Sequence, residues 1–289
     1  MTAAVESLLG TLLYEGYALY PYTESATKNA TPTPFGIVYP PAYAEETDGA
    51  FDRLRLDGVV QGAGATRVGA EVRFLQAAGA EGHRAHERRL ALQAATLTEL
   101  ASAPQTEAFR FDALGGRIRC SAELLQSEVW RLSLCVHNTT PSAPGATRAA
   151  ALEKSLISTH PVLTLSGGVF VSPLERDGDL GRAVESCVSV NTYPVRATSE
   201  DDVLLGAAIV LPDHPELAPE SGGDLFDGTE IEEALVLHIL ALSDGEREQI
   251  GRDDPAIRAV VERVGSATPA DLLRLHGRTV VSDPGQRWR

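Results

Sequence analysis

Between residues 51 and 138 the hydrophobic pattern repeats every second residue. Val68, Ala70, Val72 and Phe74 alternate with Arg67, Gly69, Glu71 and Arg73, and Ile118, Cys120, Ala122 and Leu124 alternate with Arg119, Ser121 and Glu123. Leu54, Leu56 and Val60 share one side, Phe109 and Phe111 flank Arg110, and Trp130, Leu132, Leu134 and Val136 complete the series. Successive side chains of a strand point to opposite faces, so strict alternation specifies strands with one buried and one wet face. Several in succession predict an antiparallel sandwich or barrel. Gly62-Ala63-Gly64 and Gly167-Gly168 read as turns, and residues 88–100 read as strand rather than helix.

The flanks follow other rules. Val5, Leu8, Leu9, Leu12 and Leu13 form the stripe of an amphipathic helix, which Pro21 ends. Residues 35–39 suggest a short strand. Residues 139–147, rich in Pro, Gly, Ser and Thr, form the best internal boundary. Beyond them come a short helix at 149–156, strands at 169–171, 184–190 and 203–211, and a loop at 212–223. Thr229 with Glu232 makes a capping box opening a helix at 230–242, and Asp254-Pro255 and Thr268-Pro269 open two more. The expected protein is α+β. An N-terminal helix and Tyr-rich segment (1–34) precedes an antiparallel β-rich, sandwich-like body (35–138). An α+β C-terminal part (148–289) with about three helices follows, the whole being two domains or one compact unit.

Charge narrows the function. Lys and Arg number 25 against 40 Asp and Glu, a balance of -15. Between residues 200 and 254, 16 acids face only Arg247 and Arg252, so 14 of those net negative charges lie in one block. Such a block repels phosphate backbones and argues against nucleic acid as a partner. The longest apolar run, residues 204–211, is strand-sized, which argues against membrane insertion. Residues 1–10 carry a Glu and no Lys or Arg, unlike a secretory signal. Three cysteines are too few for a disulfide framework. A cytoplasmic location is expected.

No local signature marks a serine, cysteine or lysine nucleophile, a phosphate-binding loop or a dinucleotide site, and no cofactor is implied. His83 and His86, beside Glu87, lie in an arginine-rich stretch that reads as a surface loop. His238 falls on the apolar stripe of its helix. His214, in Asp213-His214-Pro215-Glu216, reads first as part of a solvated loop, and the flanking carboxylates, which raise a histidine pKa, make a proton switch near neutral pH the alternative. Two segments stand out. Tyr14, Tyr17, Tyr20 and Tyr22, followed by Lys28 and Asn29, combine apolar rings with polar tips suited to a partner surface. Glu216, Glu220, Asp224, Asp227 and Glu230 could dock a basic partner, and His214, Glu220 and Asp224 are candidate ligands for a hard cation. The dipole of the following helix also accounts for Asp227 and Glu230.

Residues 13–29 with Phe35-Gly36-Ile37-Val38-Tyr39-Pro40, residues 218–235, and Leu272-Leu273-Arg274-Leu275-His276-Gly277 resemble an uncharacterised family of actinobacterial proteins encoded beside NiFe-hydrogenase structural and maturation genes. The resemblance implies a role near hydrogenase assembly and brings no reaction, catalytic residue or fold with it. The expected function is therefore a non-catalytic accessory or assembly protein whose partner is a hydrogenase subunit or maturation factor. The alternatives are a hydrolase with a divalent metal held by carboxylates in 213–230, and a β domain that binds a small molecule.

Overall fold

In the computed structural model, which describes residues 2–18, 36–77, 85–215 and 262, the first alternating segment becomes a single strand of 25 residues, β1 (Arg53–Ala77). Its even-numbered Leu54, Leu56, Val60, Val68, Ala70, Val72 and Phe74 are buried in one core cluster. No single neighbour covers so long an edge. The first half of β1 pairs with β6 (Val129–Asn138), from Arg53 opposite His137 to Gln61 opposite Val129. The second half pairs with β2 (Ala85–Ala91) and β3 (Ala95–Thr96). β7 (Ile157–Phe170) pairs with β1 from Val60 to Leu75. With β4 (Gln105–Phe111), β5 (Leu114–Gln126), β8 (Tyr193–Arg196) and β9 (Val203–Ala207), these form one antiparallel sheet. Its order is β4-β5-β6-β1-β7-β9-β8, with β2 and β3 also on β1. Five helices accompany it among the described residues: α1 (Ala3–Ala18), α2 (Pro41–Glu46), α3 (Leu97–Ser102), α4 (Arg148–Leu152) and α5 (Gly178–Glu185). The described residues are thus mostly antiparallel sheet with few helices.

Several local expectations change. Gly62–Gly64 and Gly167–Gly168 are not turns but lie inside β1 and β7, where the pairing register shifts between Gly62 and Arg67. A Cβ at Gly62 would lie 2.6 Å from Thr66 Oγ1, and one at Gly168 would lie 2.9 Å from the Gln61 carbonyl. These glycines let two strands approach at an irregularity, a use that shares its sequence signal with a turn. Residues 97–102 form a helix because Thr96 and Glu99 cap it reciprocally, with Leu97 and Leu100 buried beneath. The strand expected at 184–190 shrinks to one bridge, Val190 to Arg55, because α5 occupies the residues before it. Of residues 35–39 only Val38 bridges, to Leu156. His86 lies on β2 opposite Gln76 rather than in a loop. His83, His238 and the three expected C-terminal helices lie outside the described residues.

The sheet continues across residues 139–147, since β7 follows them in the chain and pairs with β1. By compactness the chain divides into Met1–Pro215 and Glu216–Arg289. No helix among the described residues is long and apolar enough to cross a membrane. The stripe of α1 is buried as its spacing predicts: Val5, Leu8, Leu9, Leu12 and Leu13 are each no more than 3% exposed. The helix packs on β7 and β1, and Arg73 of β1 pairs with both Glu6 and Glu71 at 2.6 Å.

Two glycines test this packing with the same chemical change. A Cβ at Gly58 would stand 2.4 Å from Leu204 Cδ2 and 3.4 Å from the Phe170 ring, whereas one at Gly10 in α1 meets nothing within 4 Å among the described residues. Gly58→Ala should cost roughly 1–3 kcal/mol through overpacking. Gly10→Ala should stabilise by about 0.5–1 kcal/mol through reduced freedom of the unfolded chain. Urea unfolding of both variants checks the opposite signs.

Candidate functional site

The residues singled out in the sequence divide between two parts of the chain. Tyr14 and Tyr17 lie in α1. Tyr20, Tyr22, Lys28, Asn29, Glu216, Glu220, Asp224, Asp227 and Glu230 lie outside the described residues. His214 is described, and it belongs to a charged cluster at the end of β8. Arg196 grips Asp213 through Nε and Nη2 at 3.0 and 2.8 Å, while its Nη1 reaches Asp201 at 2.7 Å. His214 Nε2 lies 2.7 Å from the other Asp201 oxygen, and the His214 amide donates to the Arg196 carbonyl. Ser172 donates to Asp213 at 2.8 Å. Burial alone would raise the pKa of Asp213, but hydrogen bonds from the Arg196 amide, its guanidinium and Ser172 outweigh it and hold the carboxyl below its ordinary value. The carboxylate beside His214 is thus Asp201, thirteen residues away, and the adjacent Asp213 is engaged elsewhere. Asp201 and His214 both have φ of 56°, a left-handed conformation that Asp and His tolerate better than most residues.

A second polar cluster is sealed inside. Ser158, Thr159 and His160 begin β7 at 0% exposure, on an irregularity between the Arg73 and Leu75 pairings where Ser158 takes a φ of 50°. His160 Nδ1 lies 3.1 Å from the Gly206 carbonyl, and Nε2 lies 3.2 Å from Ser158 Oγ, which also donates to the Leu12 carbonyl of α1. A carbonyl only accepts, so Nδ1 carries the proton of the neutral ring, and the unprotonated Nε2 competes with the Leu12 carbonyl for the single Ser158 hydroxyl proton. A serine beside an unprotonated imidazole nitrogen is the pairing of a nucleophile with its base. Here both groups are closed off from solvent, and the pair ties α1 and β9 to β7.

The third cluster was hidden in the β1 alternation. Asp57, 2% exposed, accepts from Arg55 Nε and Nη2, each at 2.8 Å, and from the Val188 amide at 2.9 Å. The spacing Arg55-x-Asp57, two residues on one face of a strand, was the only sequence signal for it. Burial pushes Cys120 up to about 12 and Cys187 up to about 11, so both are thiols at neutral pH. No group of three or more His, Cys, Asp or Glu is arranged to hold a metal among the described residues. A cavity of about 190 Å³ opens on the outer face of β1, β2 and β7, lined by Gly69, Glu71, Arg89, Val162 and Thr164 among others.

Compared with protein-family models and with curated proteins, the chain matches none.

The sealed histidine has a measurable consequence. Burial lowers the pKa of His160 from 6.5 to about 4. Between those values the unfolded chain binds a proton that the folded chain excludes. Stability is therefore undiminished above pH 6.5 and falls as the pH drops towards 4, by about 3 kcal/mol in all. His160→Gln should flatten this part of the pH dependence. Urea unfolding of wild type and variant at pH 7.5, 6 and 5 tests it, and parallel curves would show that His160 is not the group responsible.

Proposed function

We propose that the protein is a non-catalytic accessory or assembly factor that binds a NiFe-hydrogenase subunit or its maturation machinery. The partner class comes from the resemblance carried by residues 13–29, 35–40, 218–235 and 272–277. The observation that carries a binding role is the anchored cluster from which the chain enters its acidic stretch. Arg196, Asp201, Asp213 and Ser172 hold the backbone at His214, two residues before Glu216. Leu174 and Val210, 72% and 73% exposed, each lie within three residues of the Ser172–Asp213 tie. Exposed apolar side chains beside ordered charges have the make-up of an interface with an apolar centre and a polar rim. In this reading the acidic stretch is carried by a C-terminal group of about three helices, as the capping signals predict. The protein works in the cytoplasm, where three free cysteines suit a reducing environment.

Affinity purification of the tagged protein from its native host, under hydrogenase-expressing conditions, should bring down a hydrogenase subunit or maturation factor. The triple variant Glu216→Lys, Glu220→Lys, Asp224→Lys should lose it at low salt, and capture by the wild type should itself weaken as salt rises. Recovery of the protein alone would overturn the proposal. Undiminished capture by the triple variant would remove the acidic surface from it.

A further inference from the structure

The outer face of β4, β5, β6 and β1 gathers cations. Arg117 of β5, His137 of β6 and Arg53 of β1 stand directly opposite one another in one cross-strand row, and Arg119, Cys135 and Arg55 form the next. On β4, Ala108 and Thr106 extend these two rows, and Arg110 lies on the same face. The two arginines of each row stand two strands apart, with His137 or Cys135 between them. Arg55 is neutralised by Asp57, and Arg53 meets the half-buried Asp52 at 3.3 Å. Arg110, Arg117 and Arg119 are exposed and form no ion pair among the described residues. Burial holds His137 below its ordinary pKa, with Arg117 adding to the effect, which is the sign a positive field would give.

β4 also ends the strand order. A two-residue turn, Asp112-Ala113, joins it to β5, so Phe111 and Leu114 form the closing pair. By the alternation of an antiparallel ladder, Phe111, Phe109, Glu107 and Gln105 turn their backbone groups towards β5. Arg110, Ala108 and Thr106 turn theirs outward, and no backbone partner meets them among the described residues. On the opposite face of this edge, Phe109 and Phe111 are only partly buried and form an apolar lip beside Phe74.

We propose that β4 is a docking edge for an extended segment of a partner protein in which acidic and apolar residues alternate. The segment adds as a strand to Thr106, Ala108 and Arg110. Carboxylates on one of its faces reach over the small Ala108 and Thr106 side chains to Arg117 and Arg119, and the apolar residues on its other face cover Phe109 and Phe111. Strand addition supplies affinity through the backbone, and the two faces supply specificity. Single-stranded nucleic acid fits less well, because among the described residues the arginines of this face have no Phe, Tyr or Trp beside them to stack a base, only the His137 imidazole. The proposal rests on β1, β4, β5 and β6 alone and does not depend on the hydrogenase partner.

The test uses the full-length protein at low salt and a fluorescein-labelled peptide, Glu-Val-Glu-Leu-Glu-Val-Glu, with an oligouridylate of equal charge as comparison. Saturable binding of the peptide is expected, weakened at least about tenfold by Arg117→Ser with Arg119→Ser. Ala108→Pro should weaken it as much, since proline removes an outward amide without touching the β5 ladder. A peptide with Lys in place of Glu should not bind. Absence of saturation, wild-type binding by Ala108→Pro, or tighter binding of the oligouridylate would each overturn the proposal. Because a proline variant can misfold, amide exchange on the wild-type protein is decisive in its own right. Peptide should slow exchange at Thr106, Ala108 and Arg110, and unchanged rates at these amides would sink strand addition.

Discussion

One face of β1 stays buried along nearly its whole length, and most of the sheet follows from that. A strand whose Leu54, Leu56, Val60, Val68, Ala70, Val72 and Phe74 enter one core cannot slip by a single residue without turning them to solvent. Its length obliges it to take β6 on one half of an edge and β2 with β3 on the other, while β7 pairs with it from Val60 to Leu75. The irregularity between Gly62 and Arg67 lets the strand pass from the first set of neighbours to the second, and bulges of this kind sharpen a bend locally. Thr66 and Trp130 satisfy backbone carbonyls there, at Gly167 and Gly62.

The buried polar residues fasten irregular segments to this frame. Asp57 secures the chain after α5 through the Val188 amide. His160 and Ser158 tie α1 and β9 to β7. Asn138, 2% exposed, donates to the carbonyls of Val38 and Lys154 and accepts from the Thr140 amide, holding three connections at once. Each such group would be costly if left unpaired, so each joins its segment to the sheet at a defined place. Chemistry that could be reactive elsewhere is used here for cohesion, and the features suited to recognition lie outside: the arginine face, the β4 edge and the cluster around His214.

How much of this could be read in advance depended on whether burial left a local pattern. The stripe of α1 and the alternation of β1, β5 and β6 were legible because one face of each is wet. β7 was not, because Ile157 to Leu163 are buried on both faces with α1 lying over the sheet, and periodicity disappears when both sides are covered. Gly62 and Gly168 misled because glycine marks bulges and turns alike. Thr96 and Glu99 carried a readable cap that the apolar run around them obscured. His214 was noticed for its adjacent carboxylates, yet its partner is Asp201. His160 depends on Gly206, 46 residues further on, and through Ser158 on Leu12. Pairings across such distances belong to the topology and leave no trace in local spacing.

If the sheet is one cooperative frame organised by β1, its two halves must share one stability even though their neighbours differ. Native-state amide exchange along β1, from Leu54 to Leu75, measures this most directly. Amides on both sides of the Gly62–Arg67 irregularity should exchange with a single free energy, equal to that of global unfolding. Separate opening of the half paired with β6 and the half paired with β2 would contradict it.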